Sequence, residues 1–246
     1  MKTTVLIVLT VFMVVFAIKA SSQVTSVNPN PKSTSLINDA SQTAEVYVSS
    51  PGSSAAAHPL QLQGIEDQIY VGAAWPRGSV VLRDGSAIDT YNLRYNFWLD
   101  QMQFISGEDT LAFASPQELN TVSFDGHTFI FDNFQCESSI RQGYFEVIVP
   151  GKNKLLLKRV VTYRLPDAII AGDEPETKYL IDEYYFISKP DKPAVKVLCN
   201  RKSALAVLNG HKEEMDDYFR ITGNKVRNTD DLAKLVTYYN ALEEHE

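Results

Sequence analysis

The chain has 246 residues and a formal net charge of −7, with 23 Lys and Arg against 30 Asp and Glu. Because nucleic acids and anionic membranes attract proteins through Lys and Arg, this balance argues against both as partners. Hydrophobic residues make up 44% of the chain, a globular composition that excludes a fully disordered protein.

The first 22 residues predict a secretory signal peptide. A basic start at Lys2 is followed by an apolar run over 5–18 and then by small residues. The run is shorter than the ~20 residues that a membrane-spanning helix needs. We expect cleavage before Gln23, with Ser21 as the alternative first residue. The mature protein is therefore expected in the periplasm, at the cell surface or in the medium, without a membrane span.

The next segment, 23–65, predicts a flexible leader. It is rich in Ser, Thr, Asn, Pro and Ala, and it contains one short candidate strand over 45–48. A segment of this composition buries too little apolar surface to offset the entropy of ordering its backbone. We therefore place the start of the folded part near residue 66.

Residues 66–200 predict an antiparallel β domain built from hairpins. Polar and apolar residues alternate over 91–97, as in a strand with one buried face. Asp-Gly favours a hairpin turn in which both central residues have positive φ. Turns are predicted at Asp84-Gly85, Asp125-Gly126, Pro150-Gly151 and 189–193.

Residues 201–242 predict a small helical unit. Apolar residues recur there at three- and four-residue spacing, interrupted at Asn209-Gly210 and again at 222–224. Asn228 or Thr229 is predicted to cap the last helix. Because helices this short are unstable alone, they must pack on the β domain or on a partner. The fold class is therefore α+β: an antiparallel β-hairpin sheet, or an open barrel or sandwich, with a C-terminal helical unit.

Five stretches, 78–85, 93–96, 143–151, 201–205 and 231–240, carry a distinctive pattern of hairpins and helices. In this pattern the chain resembles a family of uncharacterised secreted proteins of Bacteroidetes-type bacteria. The resemblance implies an envelope or extracellular location and one integrated domain. It implies no activity, cofactor or site residue.

No motif in the sequence predicts a catalytic, cofactor-binding or metal-binding residue, and no cofactor is expected. His211 begins a stretch similar to a zinc-protease helix, but the position one turn further is Met215, which cannot replace the second His ligand. Asp182 and Glu183 are neighbours on a predicted strand and point to opposite faces. A glycoside hydrolase would therefore need carboxylates from different strands.

Trp75 and Trp98 are the predicted ligand-contact residues, because irregular or turn-like positions leave an indole ring able to stack on a sugar. Aromatic residues on strands are more often part of a core. Cys136 and Cys199 are the two cysteines of the chain. In an oxidising compartment they can form a disulfide, with two separate thiols as the alternative.

These observations together predict a secreted, non-catalytic binding or adaptor module of the cell envelope, with an unknown ligand. Its partner is expected to be another envelope protein, with a glycan as the second option. The alternative function is a hydrolase that acts on an envelope or extracellular glycan through carboxylates assembled across the sheet.

Overall fold

A computed structural model describes residues 33–38, 42–49, 68–72, 75–164 and 178–244. The predicted signal peptide and most of the predicted leader lie outside these ranges. The strand predicted over 45–48 lies within a longer strand, and a further strand, not predicted from the sequence, precedes it. Both belong to the sheet described below.

The described chain consists of strands joined by short connections, followed by helices. The strands are β1 (Ser33–Asn38), β2 (Gln42–Ser49), β3 (Tyr70–Val71), β4 (Arg77–Leu82), β5 (Ala87–Asn96), β6 (Gln101–Ser106), β7 (Asp109–Phe113), β8 (Leu119–Phe124), β9 (His127–Cys136), β10 (Ser139–Val149), β11 (Lys154–Arg164), β12 (Lys178–Ser188) and β13 (Val195–Val197). The helices are α1 (Arg201–Val207), α2 (Lys212–Thr222) and α3 (Thr229–Glu243), and a 3-10 turn covers Pro116–Glu118.

The strands form one antiparallel sheet in the order β1-β2-β7-β6-β5-β4-β8-β9-β10-β11-β12-β13, with β3 paired to β5. Most neighbours in this order are also neighbours in sequence, as expected for hairpins. Ala194, just before β13, exchanges backbone hydrogen bonds with β9 through Asn133 and Gln135 (2.8 and 2.9 Å). The predicted α+β class, with an open antiparallel sheet and a helical C-terminus, is confirmed.

Two of the predicted turns contain Asp-Gly, but their geometry differs. Asp125 and Gly126 both have positive φ (+51° and +78°), as the two-residue turn requires. At the other turn only Gly85 has positive φ, and the Asp84 carboxylate accepts hydrogen bonds from the backbone and hydroxyl of Ser86. The expectation of two positive φ values is therefore wrong at 84–85, because the side chain of Asp84 stabilises a longer loop.

The buried apolar side chains form three clusters. The first core packs on β4–β9 around Leu93, Phe104 and Phe129, and the second core packs the helices against β10–β13. A smaller third core contains Phe145, Leu156, Phe186 and Ala194. Successive residues of a strand point to opposite faces. The third core therefore lies on the opposite face of β10 from Tyr144, which belongs to the first core.

The helical unit uses the apolar face that the sequence predicts. Leu232, Leu235, Val236 and Tyr239 of α3 are buried in the second core, as are Met215, Tyr218 and Phe219 of α2. Burying one such side chain contributes about 1.5–3 kcal/mol. This packing stabilises helices that are too short to persist alone, and it fixes the two ends that surround the site described next.

Candidate functional site

A surface depression of about 600 Å³, open to solvent, lies between the end of α2 and the start of α3. Its volume falls within the ~300–1,000 Å³ that is typical of ligand sites. We call it the α2–α3 cavity. Its lining consists of Tyr218, Thr222, Gly223, Asn224, Lys225, Arg227, Asp231 and Lys234.

One wall of the cavity begins where α2 ends. Gly223 has a φ of +64°, and its N–H donates to the carbonyl of Phe219 (3.1 Å). This left-handed position at the end of a helix suits glycine, which has no Cβ to clash with the preceding carbonyl. The predicted break at 222–224 is confirmed.

Asn224 holds the loop between the two helices in one conformation. Its Oδ1 accepts from the N–H of Val226 (2.7 Å), and its Nδ2 donates to the Tyr218 hydroxyl and to the Asp231 carbonyl (both 2.9 Å). Val226 has a φ of +50°, which is strained for a β-branched residue, and it is fully buried in the second core. These bonds and that burial together fix the wall of the cavity.

The other wall begins at the capped end of α3. The side chain of Asn228 accepts from the N–H of Asp231 (2.9 Å), which confirms Asn228 as the predicted cap. Asp231 in turn accepts from the N–H of Arg227 through Oδ2 (3.0 Å). One carboxylate oxygen of the lining is thus bonded to the loop backbone.

Three cationic side chains line the α2–α3 cavity. Lys225, Arg227 and Lys234 are exposed, and no described residue forms a hydrogen bond or ion pair with their charged groups. Asp231 is the acidic residue of the lining. The cavity therefore carries more positive than negative charge, although the whole chain has a net charge of −7.

The aromatic ring of the cavity is held rigidly. Tyr218 is buried, and its ring stacks on that of Tyr238 with 4.6 Å between centroids. Its hydroxyl oxygen accepts from Asn224, which leaves the hydroxyl hydrogen available to a ligand. The cavity thus combines a fixed phenol with three cations.

A second polar cluster crosses four neighbouring strands, β9 to β12. Buried Glu146 bonds His127 through Oε1 and accepts from Arg159 through Oε2 (both 2.6 Å). Arg159 also donates to Glu183, which accepts from Tyr185 (3.2 and 3.1 Å). We call these five residues the Glu146 network. On β11 this network lies between the first and second cores. Because both oxygens of Glu146 already have partners, the network has the character of a structural group of ion pairs.

A third polar cluster surrounds Asp100 in the turn after β5. Its Oδ1 accepts from the Tyr95 hydroxyl (2.6 Å) and the Tyr144 N–H (3.2 Å), and its Oδ2 accepts from Lys158 (2.8 Å). Burial, followed by the Asp100 charge, raises the pKa of the Tyr95 hydroxyl, so that it remains a donor. A Cβ at Gly143 would lie 2.6 Å from both Asp100 Oδ2 and Lys158 Nζ. The pair therefore depends on glycine at 143.

Trp75 does not face the α2–α3 cavity. The guanidinium of Arg94 lies 3.9 Å from the centre of its ring and 3.8 Å from that of Tyr70, and it donates to Gln103 (3.0 Å). One face of the indole is thus occupied by the protein's own cation, a contact that holds the chain before β4 on β5.

Trp98 lies in the turn between β5 and β6, as its sequence context predicts. Its ring is half-buried against the first core and meets the edge of Tyr179, with 6.4 Å between centroids. The described contacts of Trp75 and Trp98 involve different residues. Their role in binding a ligand stays a prediction.

Cys136 ends β9 and Cys199 follows β13, and both are free thiols in the structure. Burial, followed by the nearby charge of Asp231, raises the pKa of the Cys199 thiol. Whether the two thiols pair in an oxidising compartment, one of the two possibilities that the sequence leaves open, stays a prediction. A count of free thiols in the denatured, unreduced protein tests it directly.

The histidine that begins the stretch similar to a zinc-protease helix lies at the start of α2. His211 has a φ of +50° at the N-cap, and Glu213 and Glu214 are exposed in the first turn. Among the described residues, no group of three His, Cys, Asp or Glu side chains gathers in a metal-binding arrangement. No described helix is both long and apolar enough to cross a membrane.

The sequence contains the residues of the α2–α3 cavity but gives little sign of their grouping. Lys225 and Arg227 are two residues apart beside a predicted helix break. Lys234 follows seven residues after Arg227, within the predicted last helix. A basic pair of this kind usually indicates a solvated loop. Only the fold of the loop, set by Asn224 and buried Val226, gathers the three cations around one concavity.

Comparison of the chain with protein-family models, with curated proteins and with solved structures gave no significant match. The resemblance to secreted Bacteroidetes-type proteins therefore stays a prediction.

Proposed function

We propose that this protein is an exported binding module of the cell envelope, and that its ligand enters the α2–α3 cavity. The observation that supports this proposal most strongly is the cavity itself. It has the volume of a ligand site, a wall fixed by internal hydrogen bonds, and three cations without partners among the described residues. Because the backbone of the loop is already fixed, binding loses little conformational entropy from ordering it.

The rest of the fold supports this function as a rigid scaffold. The second core holds α2 and α3 on the sheet, and the Glu146 and Asp100 clusters satisfy their own charges. Polar groups that are saturated within the protein stabilise it, whereas unsatisfied charged groups around a concavity are free to bind a ligand. The α2–α3 cavity is a described region where such groups converge.

For the hydrolase alternative we consider Glu146 and Glu183, two carboxylates on different strands that share the partner Arg159. Both accept hydrogen bonds from Arg159. A glycosidase needs one carboxyl protonated and the other free to act on the sugar or on water. A guanidinium bound to both fits an ion-pair network better, and we therefore favour binding. Release of reducing ends from polysaccharides by wild type, lost in Glu183→Gln, would favour the hydrolase.

Site-specific photocrosslinking in the native host tests the proposed function. A photoreactive residue replaces Lys225 at the cavity, and a matched variant carries it at Lys212, which is exposed at the start of α2 outside the lining. We expect a reproducible adduct of one mass at position 225 that is absent at 212. Identical adducts at both positions, or none at 225, would contradict the proposal.

A further inference from the structure

The groups left available in the α2–α3 cavity are almost all hydrogen-bond donors. Lys225, Lys234 and Arg227 donate only, and the Tyr218 hydroxyl already accepts from Asn224. Both amide groups of Asn224 are bonded within the protein. A ligand that complements this lining must therefore supply acceptors.

The side-chain acceptors of the lining are too few to balance these donors. Thr222 donates its hydroxyl hydrogen to the Tyr218 carbonyl (2.7 Å), and its oxygen accepts from the N–H of Asn224 (3.2 Å). Asp231 contributes one carboxylate, and its Oδ2 accepts from the N–H of Arg227. Three cations against one carboxylate leave a positive site. A concavity lined mainly by charges of one sign concentrates ions of the opposite sign.

From this donor-rich, positive lining we infer that the α2–α3 cavity binds an oxyanion, a carboxylate, sulfate or phosphate group carried by a small molecule or a sugar. Arg227 offers a planar pair of donors that suits two oxygens of such a group, and the lysines add point charges beside it. The inference rests on the proposed function and names the ligand class of the same site.

The size of the site bears on the ligand. A depression of about 600 Å³ that is open to solvent has room for a group larger than an inorganic ion. The Tyr218 ring is buried against Tyr238, so this residue contributes its hydroxyl hydrogen beside the cations. A ligand with one or more anionic groups on a compact ring or chain therefore fits best.

Titration of the ¹⁵N-labelled mature protein at low salt tests the inference. The probes are inorganic phosphate, sulfate, citrate and glucuronate, with glucose as the neutral control. We expect saturable shifts of the amide signals of 223–231 with one or more anions and none with glucose. Comparing the four anions distinguishes a free inorganic ion from an anionic group on an organic carrier.

Variants that remove positive charge test whether anion binding depends on the residues of the cavity lining. Lys225→Gln combined with Lys234→Gln should weaken anion binding about tenfold or more, because charge-assisted bonds are lost. Lys202→Gln combined with Lys212→Gln removes the same charge from exposed positions outside the lining and should leave affinity unchanged. Equal weakening in both pairs would overturn the inference, since it would mean that only overall charge matters.

The two proposals fail in different ways. Adducts specific to position 225, together with no saturable shift from any anion or with shifts from glucose, would overturn the oxyanion inference and leave the binding function standing. Absence of both adducts and shifts would overturn both proposals.

Discussion

Asn153 and Asn240 exchange three hydrogen bonds across 87 positions of sequence. Oδ1 of Asn240 accepts from the backbone N–H and the side-chain Nδ2 of Asn153 (2.9 and 3.0 Å), and Nδ2 of Asn240 donates to the Asn153 carbonyl (2.8 Å). Both residues are buried. This contact joins the turn between β10 and β11 to α3 and holds the helical unit, with its cavity, on the sheet.

Replacing Asn240 with Ala should lower the free energy of unfolding by about 2–4 kcal/mol, because several buried partners in the turn lose their bonds. Denaturant unfolding of the purified protein measures this. Asn209→Ala is the matched control, since Asn209 is exposed in the loop before α2 and its loss should cost less than about 0.5 kcal/mol. Equal effects of the two variants would contradict the role of the Asn153–Asn240 contact.

Gly143→Ala should destabilise the protein by about 1–3 kcal/mol, because the new methyl group would displace the ion pair between Asp100 and Lys158. Removing the Lys158 side chain frees part of that space. The double variant with Lys158→Ala should therefore lose less stability than the two single variants added together. Strict additivity in denaturant unfolding would show that Gly143 does not act through this pair.

Glu146→Gln should cost about 1–3 kcal/mol of unfolding free energy, because Arg159 loses a charge-assisted bond at a site that is largely buried. Glu108→Gln removes the same charge from an exposed loop and should change stability by less than about 0.5 kcal/mol. Urea unfolding of both variants measures the difference. If the Glu146 variant were as stable as the Glu108 variant, the stabilising role of the Glu146–Arg159 bond would be contradicted.

Glu243 should contribute to the loss of stability in acid. Burial alone would raise its pKa, but bonds from Lys152 and Asn153 outweigh this and hold the pKa below 4.5. A carboxyl group with a lowered pKa stabilises the fold above its unfolded pKa, and this contribution is lost as pH falls through the folded value. Glu243→Gln should therefore flatten the fall in thermal stability below about pH 4.5, while an unchanged slope would contradict the assignment.

The sequence predicted the elements whose causes are local. The hairpins follow from alternation and Asp-Gly turns, and the helix ends from Gly223 and Asn228. The packing of polar groups was not predictable, because it depends on strand register. Glu146 and Arg159 are adjacent only because β10 pairs with β11 so that Glu146 lies opposite Leu157. The cavity was missed for a different reason: its cations are gathered by the loop between α2 and α3, in which Val226 takes a left-handed conformation.

Chemical footprinting of lysines tests the central claim most directly. Intact cells and the purified protein are treated with an amine-reactive reagent, and the modification of each lysine is measured by mass spectrometry. If a ligand occupies the α2–α3 cavity, Lys225 and Lys234 should be protected in cells relative to the purified protein, while exposed Lys202 and Lys212 react equally in both. The same reactivity at all four lysines in both samples would contradict the account.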